Sequence, residues 1–375
     1  MKKTVYILLI LIIFAIGGCT IFTVPHPPVT PTQPVGSPTP TEVVGEKLVP
    51  PRFGIYHGAF PDFGPSEDIV TKRRVLDFES LVGKKIVWGY FSNNWYDGIV
   101  FPKEAVETLW GLGVVPFIRL MPRSTLDTYV EEDEFTLDNI IKGVFDDELR
   151  RWAQDARDTG IPLLIEFGTE VNGDWFPWCG AVNGRGETTG YGDPKEPDGP
   201  ERFKDAYRHI HDIFQEEGAV DVTWFIHYAA YPWPEAWWNK MAYYYPGDKY
   251  VDWIGVSVYG PLTPYEEWIE FPEIMSDIYG ELTSISPGKP IAILEFGVID
   301  NHPFGDKAEW IREALTSLKD GDWPLVKAIS YWHSEWEEDD GSIVNLRLDS
   351  SPEVLEAYKS LIKSSVFVDT PIFSQ

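Results

Sequence analysis

The chain has 375 residues, carries 59 acidic side chains against 31 basic ones, and has a formal net charge of −28. A field of that sign repels nucleic acid and anionic glycans, so neither is expected as a partner. Its two cysteines, Cys19 and Cys179, exclude a disulfide framework and a cysteine-built metal site.

Lys2 and Lys3 open the chain, and an apolar run from Val5 to Ile16 ends at Gly17-Gly18-Cys19. A basic start and a short apolar run closed by small residues mark residues 1–18 as a secretory signal and not a spanning helix of the mature protein. The end of this signal resembles a prokaryotic lipobox. That implies cleavage before Cys19, lipidation of that residue, and tethering to the outer face of the membrane. An uncleaved anchor and a plain signal cut elsewhere are the alternatives. Residues 19–51 follow, with prolines at Pro25, Pro27, Pro28, Pro31, Pro34, Pro38 and Pro40. Such a stretch buries no core and favours extended polyproline geometry, so it reads as a spacer. Residues 52–375 then form one domain, of a length normal for an α/β barrel.

Short apolar runs recur along that domain at 53–57, 85–90, 114–120, 162–167, 222–227, 251–259, 290–294 and 327–332. Helical patterns fall between them. At 102–111, Pro102 suits a first turn and Gly111 a terminus. At 145–159, Leu149, Trp152, Ala153 and Ala156 share a face, and at 201–215 so do Phe203, Tyr207, Ile210 and Phe214. Further helices are expected at 306–318 and 352–363. Strands alternating with helices imply parallel pairing through crossovers. Eight such units indicate a (β/α)8 TIM barrel. The alternative is an open doubly wound sheet. It loses support because Gly58-Ala59-Phe60-Pro61, after the first run, lacks the spaced glycines of a dinucleotide loop.

Active residues of such barrels lie on the loops after the strands. Two carboxylates are expected there. Glu170 follows the fourth run, in a loop that continues through Asn172, Trp175 and Trp178; Glu295 follows the seventh. A charge at the end of an apolar strand is unfavourable without a task or a partner. The indoles beyond Glu170 offer flat apolar faces of the kind on which sugar rings stack. Either glutamate alone reads equally well as half of a strand-end ion pair. The two together at one mouth fit glycosidic bond cleavage by carboxyls about 5 Å apart. Tyr259, at the end of the sixth run, is placed to donate to Glu295.

Gly168-Thr169-Glu170-Val171-Asn172-Gly173-Asp174-Trp175-Phe176-Pro177-Trp178-Cys179-Gly180 resembles the acid/base motif of glycoside hydrolase family 26. That motif usually reads His-Glu-Met-Asn-Gly and, after one residue, Trp-Phe-Trp-Trp-Gly. Leu294-Glu295-Phe296-Gly297 resembles the family's nucleophile segment, and residues 252–260 its sixth strand. The resemblance implies a retaining double displacement on β-linked plant polysaccharide, most often β-1,4-mannan, with no cofactor. It implies Glu170 as acid/base, Glu295 as nucleophile and Tyr259 as the residue that orients Glu295. It also implies Trp175 stacked near the cleavage point and Trp332 as the floor under the attacked sugar. Thr169, Asn172 and Trp178 are expected at the substrate with them. Thr169 stands where the family has His, Val171 where it has Met, and Pro177 where it tends to Trp. β-Glucan and xylan are rival substrates, because the same catalytic pair serves each. A lipid-anchored glycan-binding protein without turnover would keep Trp175 and Trp332 but would not need both glutamates.

Arg119, near the end of the third run, suits a carboxylate or sugar hydroxyl at the substrate, or a buried structural ion pair. Asn93, Asn94 and Trp95 suit distal sugar sites or a surface loop. Trp233, Trp237 and Trp238 suit a further stacking platform or a packed loop core. His57, His227 and His333 show no metal spacing and read as hydrogen-bonding residues.

Overall fold

The computed structural model describes residues 45–338 and 341–374. The expected signal, Cys19 and most of the spacer lie outside the described residues. Eight strands run β1 (Ile55–Phe60), β2 (Trp88–Asn94), β3 (Val115–Met121), β4 (Leu163–Phe167), β5 (Val222–Ala229), β6 (Trp253–Tyr259), β7 (Ile291–Gly297) and β8 (Val326–Trp332). They pair in sequence order, each parallel to the next, and β8 returns to β1 with Tyr56 opposite Ala328 and Phe60 opposite Trp332. That last pairing closes the sheet into the expected TIM barrel. The strands read as near-continuous apolar runs because helices cover one face and the packed barrel interior the other.

The crossover helices include α1 (Lys72–Val82), α2 (Lys103–Trp110), α3 (Leu137–Ile141), α4 (Asp146–Thr159) and α5 (Asp198–Glu216). After them come α6 (Met241–Tyr244), α7 (Phe271–Ile285), α8 (Lys307–Asp320) and α9 (Pro352–Ile362). In α4 the spaced residues Leu149, Trp152, Ala153 and Ala156 are buried, and in α5 so are Phe203, Tyr207, Ile210 and Phe214. The sequence reading omits α1, α3, α6 and α7. In α1 only Val75, Phe78 and Val82 are buried, a narrow stripe among charged residues. Local chemistry still fixes its ends: the Thr71 side chain accepts from Arg74 N, and Gly83 closes the helix at φ 72°.

The first strand starts two residues later than its apolar run suggests, and Phe53 is 88% exposed. Gly54 turns at φ 82°, and a Cβ there would lie 2.1 Å from Val366 O, so the chain can pass only with glycine at that point. Ordered packing also begins ahead of residue 52. Leu48 is buried, its carbonyl accepts from Trp253 Nε1 at 3.0 Å, and Lys47 pairs with Asp252 at 2.9 Å.

A layer of aromatic side chains links five strands across the barrel interior. Phe117 lies 5.7 Å from Trp88 and 4.6 Å from Phe225, Phe225 stacks on Trp253 at 5.6 Å, and Trp253 meets Tyr56 at 6.4 Å. Side chains on one face of a strand repeat every second residue. Two residues further along, the same faces of β2, β3 and β5 therefore carry Tyr90, Arg119 and His227. The apolar layer supports a polar one beneath the C-terminal mouth.

Candidate active site

The loop after β4 leaves the strand through Gly168 at φ 65° and carries Glu170 at φ 50°, a left-handed backbone unusual for a glutamate. Surrounding bonds hold it there. Val171 N donates to His227 O at 3.2 Å, and Trp178 Nε1 donates to Thr169 O at 2.6 Å. The Asn172 amide both donates to Ala229 O and accepts from Ala229 N. Glu170 is half-buried, and its Oε2 accepts from Trp175 Nε1 at 2.8 Å.

Glu295 lies within β7, not after it. The pairing register slips beside it, against β6 between Val256 and Ser257 and against β8 between Ile293 and Phe296. Such irregularities re-aim side chains, which an alternating pattern does not reveal. Glu295 is 5% exposed. Tyr259, half-buried at the end of β6, donates to Glu295 Oε2 at 2.8 Å, and Oε1 has no hydrogen bond among the described residues. Oε1 lies 3.3 Å from Arg119 Nη2.

Arg119 is the hub of the polar layer. Its Nη1 donates to Glu67 Oε2 at 2.7 Å, and its Nε lies 3.4 Å from Glu166 Oε1. Its guanidinium carbon sits 5.1 Å from the ring centroids of both Tyr90 and Trp332. Of the uses open to it from sequence, contact with carboxylates is the one present. Below it, His227 Nδ1 is within reach of Glu166 Oε2 at 3.0 Å, Thr169 Oγ1 at 2.8 Å and Tyr90 Oη at 3.1 Å. His227 Nε2 meets Ser257 Oγ at 2.8 Å, and Tyr90 donates to Glu166 at 2.6 Å.

These contacts set the charges. Burial pushes the Glu295 carboxyl up to about 7; Arg119 opposes the shift and Glu170 adds to it. Burial also disfavours a charge on Glu166, but His227, Arg119 and the Tyr90 hydroxyl outweigh it and hold that carboxyl below its ordinary value. Burial likewise works against a charge on His227, and Glu166 overcomes it, so the imidazole titrates above its usual value. Buried beneath the mouth, His227 and Glu166 thus each favour the charged form of the other.

Several expected residues occupy other positions. Thr169, Asn172 and Trp178 are each 1% exposed or less, and their polar side-chain atoms are bonded within the protein. They shape the loop and offer no surface to a ligand. Trp332 is 6% exposed and stacks on Phe60 at 4.1 Å with a 12° tilt, so one face is already covered. Trp175 keeps more surface, beside Glu170. Asn93 and Asn94 belong to β2, where they accept from Trp152 Nε1 and Arg123 Nε, and Trp95 is wholly buried against Phe135. None of the three sits in a surface loop.

The sequence does not single out Glu67, Tyr90 and Glu166, whereas His227 is the hydrogen-bonding residue expected from it. Glu166 did carry a signal, a lone carboxylate inside the apolar strand Leu163–Phe167. Glu67 carried none, because only the loop's path brings it to Arg119.

A closed parallel barrel that brings one carboxylate on β7 and another just after β4 to its C-terminal mouth has the architecture of the barrel glycosidases. Residues 124–301, which include both glutamates, match the family model described as glycosyl hydrolase family 26. Endoglucanase H of Acetivibrio thermocellus is 29% identical over 314 residues, which make up 82% of this chain. The match spans only 30% of that relative's length. The catalytic domain of the family 26 endo-β-1,4-mannanase of Bacillus sp. JAMB-750 superposes with a TM-score of 0.57 at 16% identity, over 84% of this chain and 87% of that one. A β-mannanase from a symbiotic protist of the termite Reticulitermes speratus, solved with a gluco-manno-oligosaccharide, gives 0.53 at 18%, over 84% and 88%. At those identities the two structures attest the fold. The likeness to glycosyl hydrolase family 26 thus covers just under half of the chain, residues 124–301.

Proposed function

We propose that the protein is a retaining glycoside hydrolase acting within β-linked polysaccharide. Glu295 is the nucleophile and Glu170 the acid/base. Glu170 protonates the departing oxygen while Glu295 forms the glycosyl intermediate; Glu170 then removes a proton from the water that releases the sugar. The observation that carries this reading is the asymmetric setting of the two carboxyls. Glu295 is buried and faces two groups that favour its anion, the Tyr259 hydroxyl and Arg119. Glu170 is more open, and among the described residues its carboxylate holds only the Trp175 indole N–H. Burial alone would favour a proton on Glu295 and so the reverse roles. The anion-directed contacts favour Glu295 as nucleophile, and Trp332 beside Arg119 offers an edge for the attacked sugar.

β-Glucan is the leading substrate. Its support is the endoglucanase relative at 29% identity, together with a buried Thr169 bonded to His227, so that no imidazole precedes the acid/base at the substrate. β-1,4-Mannan is the second reading, supported by the mannanases that share the barrel. We also propose that the domain works outside the cell, tethered through a lipidated Cys19.

Reducing-sugar release from β-glucan, mannan and xylan tests the activity. Release from β-glucan above the other two is expected; release from none defeats the reading. Glu295→Ala should lose at least about 10⁴-fold in kcat on that polysaccharide. Azide should restore turnover with inverted product. Inverted rescue at Glu170→Ala instead would exchange the two roles.

A further inference from the structure

The loop after β5 reads Tyr231-Pro232-Trp233-Pro234-Glu235-Ala236-Trp237-Trp238-Asn239. Its three tryptophans do not share one fate. Trp238 is buried against the loop after β4, so close to Gly186 that a Cβ there would meet its ring at 2.3 Å. Trp233 and Trp237 are 61% and 57% exposed. Indole surface left in water contributes nothing to a core and forgoes the gain of burial. Among the described residues, the Trp233 indole N–H makes no hydrogen bond and its ring joins no aromatic pair, whereas Trp237 packs edge-on against Tyr243 at 5.9 Å.

A slack loop could expose tryptophan by default, but this loop is fixed. Trp233 N and Asn239 Nδ2 both donate to Asn172 O at 2.8 Å. Asn239 Nδ2 also donates to Pro234 O at 3.0 Å, and Asn239 Oδ1 accepts from the buried Tyr244 hydroxyl. Prolines on both sides of Trp233 restrict φ at its two neighbours. The exposed ring is therefore carried on a backbone pinned to the loop that holds Glu170, at a residue only two positions further along.

Strand order sets the direction. The attacked sugar belongs over Glu295, beside Trp332 at the end of β8, and the departing sugar beside the acid on the loop after β4. Strand β5 lies next to β4, on the side of the barrel away from β8 and β1. A chain leaving the reaction centre past Glu170 next meets the loop after β5.

We propose that Trp233, with Trp237 as its outer neighbour, is a stacking platform for the departing side of the polysaccharide. It binds neutral pyranose units through their apolar ring faces. Glu235 between the two indoles, and the net charge of −28, disfavour uronic acid units there. The inference rests on the glycosidase reading and adds that the enzyme grips at least one sugar beyond the bond it cleaves.

The test compares Trp233→Ala and Trp233→Tyr with the parent on the polysaccharide and on an aryl β-glycoside, whose leaving group is too short to reach the platform. For Trp233→Ala, kcat/KM on the polymer should fall on the order of 10-fold, with aryl glycoside turnover within about 2-fold of the parent. Trp233→Tyr should recover most of the loss. Equal falls on both substrates, or no fall on either, would overturn the platform. If the parent cleaves no polysaccharide, the proposed activity fails and binding decides the platform separately. Cellohexaose and mannohexaose are then titrated by intrinsic fluorescence into Glu295→Gln with and without Trp233→Ala. Weaker binding of either sugar on removal of Trp233 supports the platform, and unchanged or absent binding overturns it.

Discussion

Glu295 shows what burial does to one carboxyl. Its folded-state value of about 7 lies above the ordinary 4.5, so the folded protein holds this proton longer than the unfolded chain does. Below about pH 4.5 the group is neutral in both states and burial carries no charge penalty. Between there and about 7 the penalty grows as pH rises, and above 7 it is complete, on the order of 3 kcal/mol. Glu295→Gln should therefore raise unfolding stability at pH 8 by up to about that amount, with the gain vanishing toward pH 4.5 in chemical denaturation at the two pH values. A nucleophile must be ionised, so kcat/KM of the parent should climb with pH through about 7 before the basic limb begins. A rate already flat from pH 5 to 7 would show that Arg119 outweighs burial. Sequence could name Glu295, Tyr259 and Arg119, but not their arrangement around one carboxyl. Arg119 lies 176 positions from Glu295 and 47 from Glu166 along the chain; its contacts with both exist because parallel strands place them on one inner layer.

At the scale of elements, the site depends on the loop after β4 being fastened to its neighbours. Asn172 is the fastener: its side chain bridges to Ala229 on β5, and its carbonyl receives both ends of the Trp233 loop. Asn172→Ala would leave the buried Ala229 N and O without their partners, a loss of about 1–3 kcal/mol. Hydrogen exchange should quicken at residues 171–180 and 231–239 while β1 and β8 keep their protection. Uniform quickening across the barrel would mean a global loss of stability and no fastening role. The helices α4 and α5 were legible because wide apolar stripes repeat at helical spacing. The first helix was not, because its narrow stripe is outnumbered by charges and its ends are set by one cap and one glycine.

Across the whole molecule, charge limits how the protein can meet a membrane. A net charge of −28 is repelled by anionic lipid surfaces, so the proposed tether must be covalent and not electrostatic. Expressed full-length in a bacterium that processes lipoproteins, the protein should sediment with membranes, and Cys19→Ser should move it to the soluble fraction. Identical partition of the two forms would remove the lipid anchor.

The sequence by itself determined the barrel, because eight apolar runs alternating with helical patterns allow few other parallel sheets. It also named the two glutamates, each being a charge that an apolar strand does not ordinarily carry at its end. Only the tertiary structure decided which neighbours those charges have. Arg119, Glu166 and His227 come from three different strands and meet only when β3, β4 and β5 pair side by side. It also sorted the tryptophans, burying Trp178 and Trp238 while leaving Trp233 and Trp237 in water. The physical reason is that periodicity and composition are local properties of a chain, whereas burial and pairing depend on contacts between residues far apart along it.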